Sequence, residues 1–278
     1  MSMLQVPRMA TPVLALLLLA PSAPGEDSAP DRRAAAALEL SREPPAVFFE
    51  KLAPLLTPLE TVLERRGDFD ASGKDGIILL DETIAHSDGE GRRLLVYHRV
   101  YEALNESGAR LAAEDTYSFR TWDQRIHLVE ALSLPPGGTA LPVADGSVIM
   151  ESPQGNASDK IYMDRGQMRI IYPGVKPGTV TRNLVVVEEL EPRIPGHFGF
   201  WEVWGAYWPT RSSRTLLHLP ASLSERLRET RLGSGIPKVA KSSAGEDWVV
   251  WNYEKERIKG IRAEPGRPPA LRGTHRRD

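Results

Sequence analysis

Six histidines, thirty-seven carboxylates and no cysteine set the chemistry open to this chain. The histidines are His86, His98, His127, His197, His218 and His275. No two have the spacing of a zinc-ligand pair, and none lies in a His-Glu-x-x-His helix. The register of the first hairpin decides whether His98 faces Glu82; such a pair is more often a structural cross-strand contact than an acid–base couple. Glu188 and Glu189 are adjacent on an expected strand, so they point to opposite faces and cannot form one acid–base pair by themselves. Gly-x-Ser-x-Gly, P-loop and dinucleotide fingerprints are absent, and without cysteine there is no thiol nucleophile or thiolate ligand. Asp68-Phe-Asp-Ala-Ser-Gly73 starts like a calcium loop, but its twelfth position is Leu79 rather than the bidentate glutamate the ion needs. A polar linker explains it better. The reading assigns no catalytic residue, no metal ligand and no cofactor.

The strongest local anomaly is Phe198-Gly-Phe-Trp-Glu-Val-Trp-Gly-Ala-Tyr-Trp208, which holds six aromatic residues. As a strand it would put Phe198, Phe200 and Trp204 on one face and Trp201 on the other. One face then belongs to a core and the other is free to meet a neighbour. Trp201, Trp204, Tyr207 and Trp208 form the candidate interaction surface. A stacking platform for carbohydrate or cell wall, built from Trp201, Trp204 and Trp208, is the alternative use.

Those residues must be positioned by a fold that 278 residues, 41% hydrophobic and 26% charged, can support with an ordinary soluble core. A net charge of −2 gives no electrostatic case for nucleic acid or an anionic membrane as partner. Arg8, the short apolar run Val13–Ala20 and the small residues Ala23-Pro-Gly25 read as a signal peptide over residues 1–25. The expected location is therefore periplasmic or extracellular. No second run reaches the roughly 18 apolar residues of a membrane span.

Residues 26–75 read as a linker with short helices. Thr57-Pro-Leu-Glu60 has the form of a capping box, with Pro58 at the first helical position. From Gly76 strand signals recur: Ile77–Ser87 and Arg92–Leu104 flank the turn Asp88-Gly-Glu-Gly91, and Asn105–Gly108 reads as a turn into a strand over 109–119. Further strands are expected at 124–134, 160–172, 179–191, 199–204, 211–219 and 248–253. Pro173-Gly174 and Pro177-Gly178 each favour a type II turn, since proline fixes φ near −65° and glycine accepts φ > 0. Many strands and little helix argue for a mainly β domain over 76–265, a β-sandwich with a short N-terminal helical preface. The Pro- and Arg-rich residues 266–278 read as a disordered tail.

The ordered set of these segments resembles a known family. Ile78–Thr83 with Asp88-Gly89, then Ile126–Pro135 through Asp145-Gly146, then Ile171-Tyr-Pro-Gly-Val-Lys-Pro-Gly178 match it in order. Phe200–Pro209, Arg211–Pro220 and Trp251–Pro265 complete the series. The chain is similar here to the transglutaminase-associated N-terminal domain, domain of unknown function 3857. The resemblance implies an immunoglobulin-like antiparallel β-sandwich, exported from bacteria and found beside a transglutaminase-like fold. Two departures stand out. With no cysteine the chain cannot hold a Cys-His-Asp triad, and Thr179-Val-Thr-Arg-Asn183 replaces an acidic, aromatic strand start. The expected function is thus a non-catalytic module for protein interaction or scaffolding, with a transglutaminase-like or other envelope protein as partner.

Overall fold

The computed structural model describes residues 38–67, 69–152, 165–192, 194–230, 237–245 and 247–260. The expected signal peptide, Asp68 of the calcium-like loop and the tail lie outside them. Among the described residues eleven strands form two sheets. They are β1 (Gly76–Ser87), β2 (Arg93–Ala103), β3 (Glu114–Arg120), β4 (Gln124–Leu134), β5 (Leu141–Pro142) and β6 (Val148–Glu151), followed by β7 (Arg165–Ile171), β8 (Val180–Glu189), β9 (Thr210–Pro220), β10 (Lys238–Ser243) and β11 (Trp248–Ile258). The large sheet has the order β10-β11-β9-β1-β2-β8-β4-β5, and the small one β3-β7-β6. Mainly β architecture is as expected. A wholly antiparallel sheet is not: β1 and β9 run parallel, from Ile78↔Thr210 to His86↔His218. The reason lies in the connection. β8 ends at the β1–β2 hairpin end, and the chain must run back along the sheet before β9 can start beside Gly76.

Local chemistry explains the turns. Asp88 accepts three backbone N–H groups, from Glu90, Gly91 and Arg92, which closes the first hairpin. Gly174 and Gly178 take φ of 62° and 80°, and Thr179 N–H bonds Lys176 C=O, the type II turn expected of Pro177-Gly178. Two expectations fail. Asn105 does not turn into a strand; its side chain caps the helix α2 (Glu106–Ala112) by accepting from the Gly108 N–H. The helix α1 (Leu59–Glu64) starts without a side-chain cap. Thr57 N–H and hydroxyl go to Glu82 instead of forming the box with Glu60.

Strand alternation gives the large sheet two apolar faces. On one, Leu94 and Val96 of β2 and Leu184 and Val186 of β8 meet Phe48 and Leu52 of the preface. Burying each of those two preface side chains contributes about 1.5–3 kcal/mol. On the other face, Tyr97, Val185 and Val187 pack with Ile126 and Leu128 of β4 against Tyr117, Phe119, Met168 and Ile170 of the small sheet. The small sheet covers only part of that face. Over β1, β9 and β11 the cover is the returning segment 194–209.

Candidate interaction surface

The segment 194–209 is an aromatic strap, irregular rather than the strand expected at 199–204. At its start Gly196 N–H bonds Glu90 C=O at 2.7 Å, and the Arg93 guanidinium donates to Gly199 C=O. At its end Ile78 N–H bonds Pro209 C=O at 2.9 Å. From Phe200 to Trp208 it makes no backbone–backbone hydrogen bond among the described residues. Side-chain packing therefore carries the middle. Phe198, Phe200 and Trp204 press on Ala85, Leu217, Leu219 and Tyr253. Trp208 meets Tyr101 edge-on at 6.2 Å and lies over Gly76, where a Cβ would come within 2.7 Å of its ring.

The outward side is apolar. Trp201 is 73% exposed, Val203 54% and Tyr207 52%. The sequence assigned Trp201 opposite to Phe198, Phe200 and Trp204, and this separation holds although the strand does not. Of the four candidate residues, the strap turns Trp201 and Tyr207 outward and packs Trp204 and Trp208 inward. Val203 joins the outward pair; it was not singled out in the sequence, although the alternation that sets Trp201 apart places it on the same side.

Arg93 is itself held in place. It pairs with Glu189, which also receives Arg120 at 3.0 Å; Arg120 in turn grips Asp123. Burial would raise the Glu189 carboxyl, but Arg93 and Arg120 hold it below the ordinary glutamate range. Glu188, on the opposite face, meets His127 at 3.2 Å, as the alternation requires.

Three buried polar groups lie away from the strap. Glu82 and His98 face each other across β1 and β2, and Glu82 Oε2 lies 3.0 Å from His98 Nδ1. Arg182 Nε–H donates to His98 Nε2, so the histidine proton sits on Nδ1 and is given to Glu82. Glu82 also accepts from Thr57 and from Arg214 Nη1 at 2.7 Å, while Arg214 donates to Leu55 C=O. Burial pushes the Glu82 carboxyl up, but the bonds from His98 and Thr57 prevail and hold it low. This cluster fastens the preface to the sheet.

The second group stacks His86 and His218 on Trp248, with their Nδ1 atoms 2.9 Å apart and the Lys51 ammonium over the indole. Burial lowers both imidazoles to about 4, helped by Lys51 and, for His218, by His86. The third joins the two sheets. Tyr117 donates to Asn183 Oδ1 at 2.6 Å, and Asn183 donates to Asp115 and Tyr172. Arg99 lies over Tyr117 beside Asp81 and Asp115. Burial raises the Asp115 carboxyl.

One contact set has the residue types of an acyl-transfer triad: Ser41 Oγ is 2.8 Å from His127 Nδ1, whose Nε2 faces Glu188. No sequence motif announced it, since the three residues lie far apart in the chain. The serine is also held by its backbone. Ser41 C=O accepts the Leu128 N–H at 2.9 Å, so the serine lies as a bridge on the outer edge of β4. Among the described residues no three His, Asp or Glu side chains are grouped for a metal ion, and no helix is long and apolar enough to cross a membrane.

Comparison with known proteins adds a family. The model of a family described as "Domain of Unknown Function with solved-structure structure (DUF3857)" matches residues 90–259. No curated protein matches the chain. A crystal structure described as a "putative protease" from Parabacteroides distasonis aligns at a TM-score of 0.57 and 12% identity, over 70% of this chain and 38% of that one. This likeness is one of fold, and the present chain spans well under half of that protein. A "putative nutrient binding protein" from Legionella pneumophila aligns at a TM-score of 0.32 and 9% identity, over 69% of this chain and 66% of that one. That overlap is too low to bear on the fold.

Proposed function

This chain belongs to the DUF3857 family, and from that membership we propose that it is a non-catalytic interaction module that docks a protein partner through its aromatic strap. The observation that carries the reading is an anchored segment whose outward side is Trp201, Val203 and Tyr207, all more than half exposed. Aromatic side chains on a pre-ordered support lose little entropy on binding and dominate interface energetics. A carbohydrate platform of Trp201, Trp204 and Trp208 is disfavoured because Trp204 and Trp208 are committed to packing.

The finer parts of the proposal rest on sequence. Export follows from Arg8, the apolar run and the small residues before Glu26. A transglutaminase-like or other envelope protein as the partner follows from the family resemblance. An immunoglobulin-like relation of the sheets is supported by the core that β4 and β8 share with the small sheet. Titration of the full chain with a glycan panel, read by tryptophan fluorescence, tests the docking reading against its rival. The proposal expects no shift; a saturable shift lost on Trp201→Ala would replace protein docking with glycan binding.

A further inference from the structure

The large sheet has two edges, and they are treated differently. At β4 the outer edge is occupied by β5 and by the Ser41 bridge. At the other end β10 pairs, among the described residues, with β11 alone, and all six of its residues are exposed. A strand in that position presents alternate N–H and C=O groups to solvent, a ready template for another strand. Its charge is one-signed: the segment Lys238-Val-Ala-Lys-Ser-Ser243 has two lysines and no acid. Lys238 lies across from Glu254, and Lys241 rests over the Trp251 ring at 5.0 Å.

Spaced by three, the two lysines project on opposite faces of the strand. An antiparallel second copy meeting this edge must pair residues that share a face, as with Ala240 opposite Ala240, and this sets Lys238 against Ser242 and Lys241 against Val239, so the strand offers neither lysine an acidic partner in itself. The same spacing suits a strand carrying Glu-x-x-Glu. We propose that the outer edge of β10 accepts an extended acidic segment of a partner protein as an additional strand of the large sheet. The backbone supplies the bonding and the lysines select the sign of the partner. This surface is separate from the outward side of the strap, so it neither needs nor replaces docking at Trp201.

The test uses the full chain and the peptide Ac-Thr-Glu-Val-Thr-Glu-Val-Thr-NH2, with a control in which both glutamates are lysines. Hydrogen exchange read by mass spectrometry should show protection within 238–243 by the acidic peptide only. The double substitution Lys238→Glu and Lys241→Glu, both at exposed positions, should weaken the acidic peptide about tenfold and transfer preference to the lysine peptide. Absence of protection at millimolar peptide overturns the proposal. So does equal binding of both peptides, or protection that arises from dimerisation of the chain without peptide.

Discussion

Glu82 illustrates how a buried carboxylate can be structural. It has four donors from three parts of the chain, and removing its charge weakens all four bonds at once. Glu82→Gln is expected to destabilise the fold by about 3 kcal/mol, because Arg214 is left without its carboxylate; urea unfolding measures it. His98 opposite Glu82 was legible as a possibility from the hairpin alone. Thr57 as a donor to Glu82 was not, since its own sequence neighbourhood spells a capping box and only the folded sheet supplies the stronger acceptor. The histidine pair has a distinct signature. Both imidazoles titrate near 4 when folded and near 6.5 when unfolded, so the unfolded chain binds more protons between those values. The stability they provide is complete above pH 6.5 and is lost as pH falls towards 4. Thermal melts from pH 7 to 4.5 should show a falling midpoint, and replacing His86 and His218 together should flatten the slope. An unchanged slope would mean that neither is held neutral.

Elements show why turns were read better than caps and edges. The two Pro-Gly steps fix their own backbone angles, so Gly174 and Gly178 fall where the sequence put them. Asn105–Gly108 is ambiguous locally, because asparagine starts a turn and caps a helix with the same side-chain oxygen. The fold decides it by contact: a Cβ on Gly108 would lie 1.8 Å from Asp75 C=O, so glycine lets α2 abut the start of β1. Gly108→Ala should cost about 2 kcal/mol or more in chemical denaturation, despite alanine's higher helix propensity. β10 was missed because all six of its residues are exposed, which removes the alternation by which a strand is recognised. The strap was misread for the opposite reason. Its aromatic residues have strand composition, yet the middle has no backbone partner among the described residues and follows packing alone. Arg93→Met should release the Gly199 end and raise hydrogen exchange across 196–204 while β2 stays protected.

At the scale of the molecule, the sheet is a platform covered on one face by the preface and on the other by the small sheet and the strap. The mainly β class and the family were legible because turns and strand patterns are local and ordered along the chain. The parallel pairing of β1 with β9 was not, since it depends on where the chain returns after β8. The candidate surface was half legible: composition marked the segment and strand alternation set Trp201 apart from Trp204, but the seating of Trp208 on Tyr101 and Gly76 comes from packing in the folded chain. Substituting the outward pair should therefore leave stability unchanged within about 0.5 kcal/mol. The most direct measurement of the central claim is site-specific photo-crosslinking from position 201 in the cells that make the protein. A crosslinker at 201 should capture one discrete protein, competed by the untagged wild-type chain and not by a Trp201→Ser, Tyr207→Ser variant. Capture of no discrete protein, or equal competition by the variant, would contradict it.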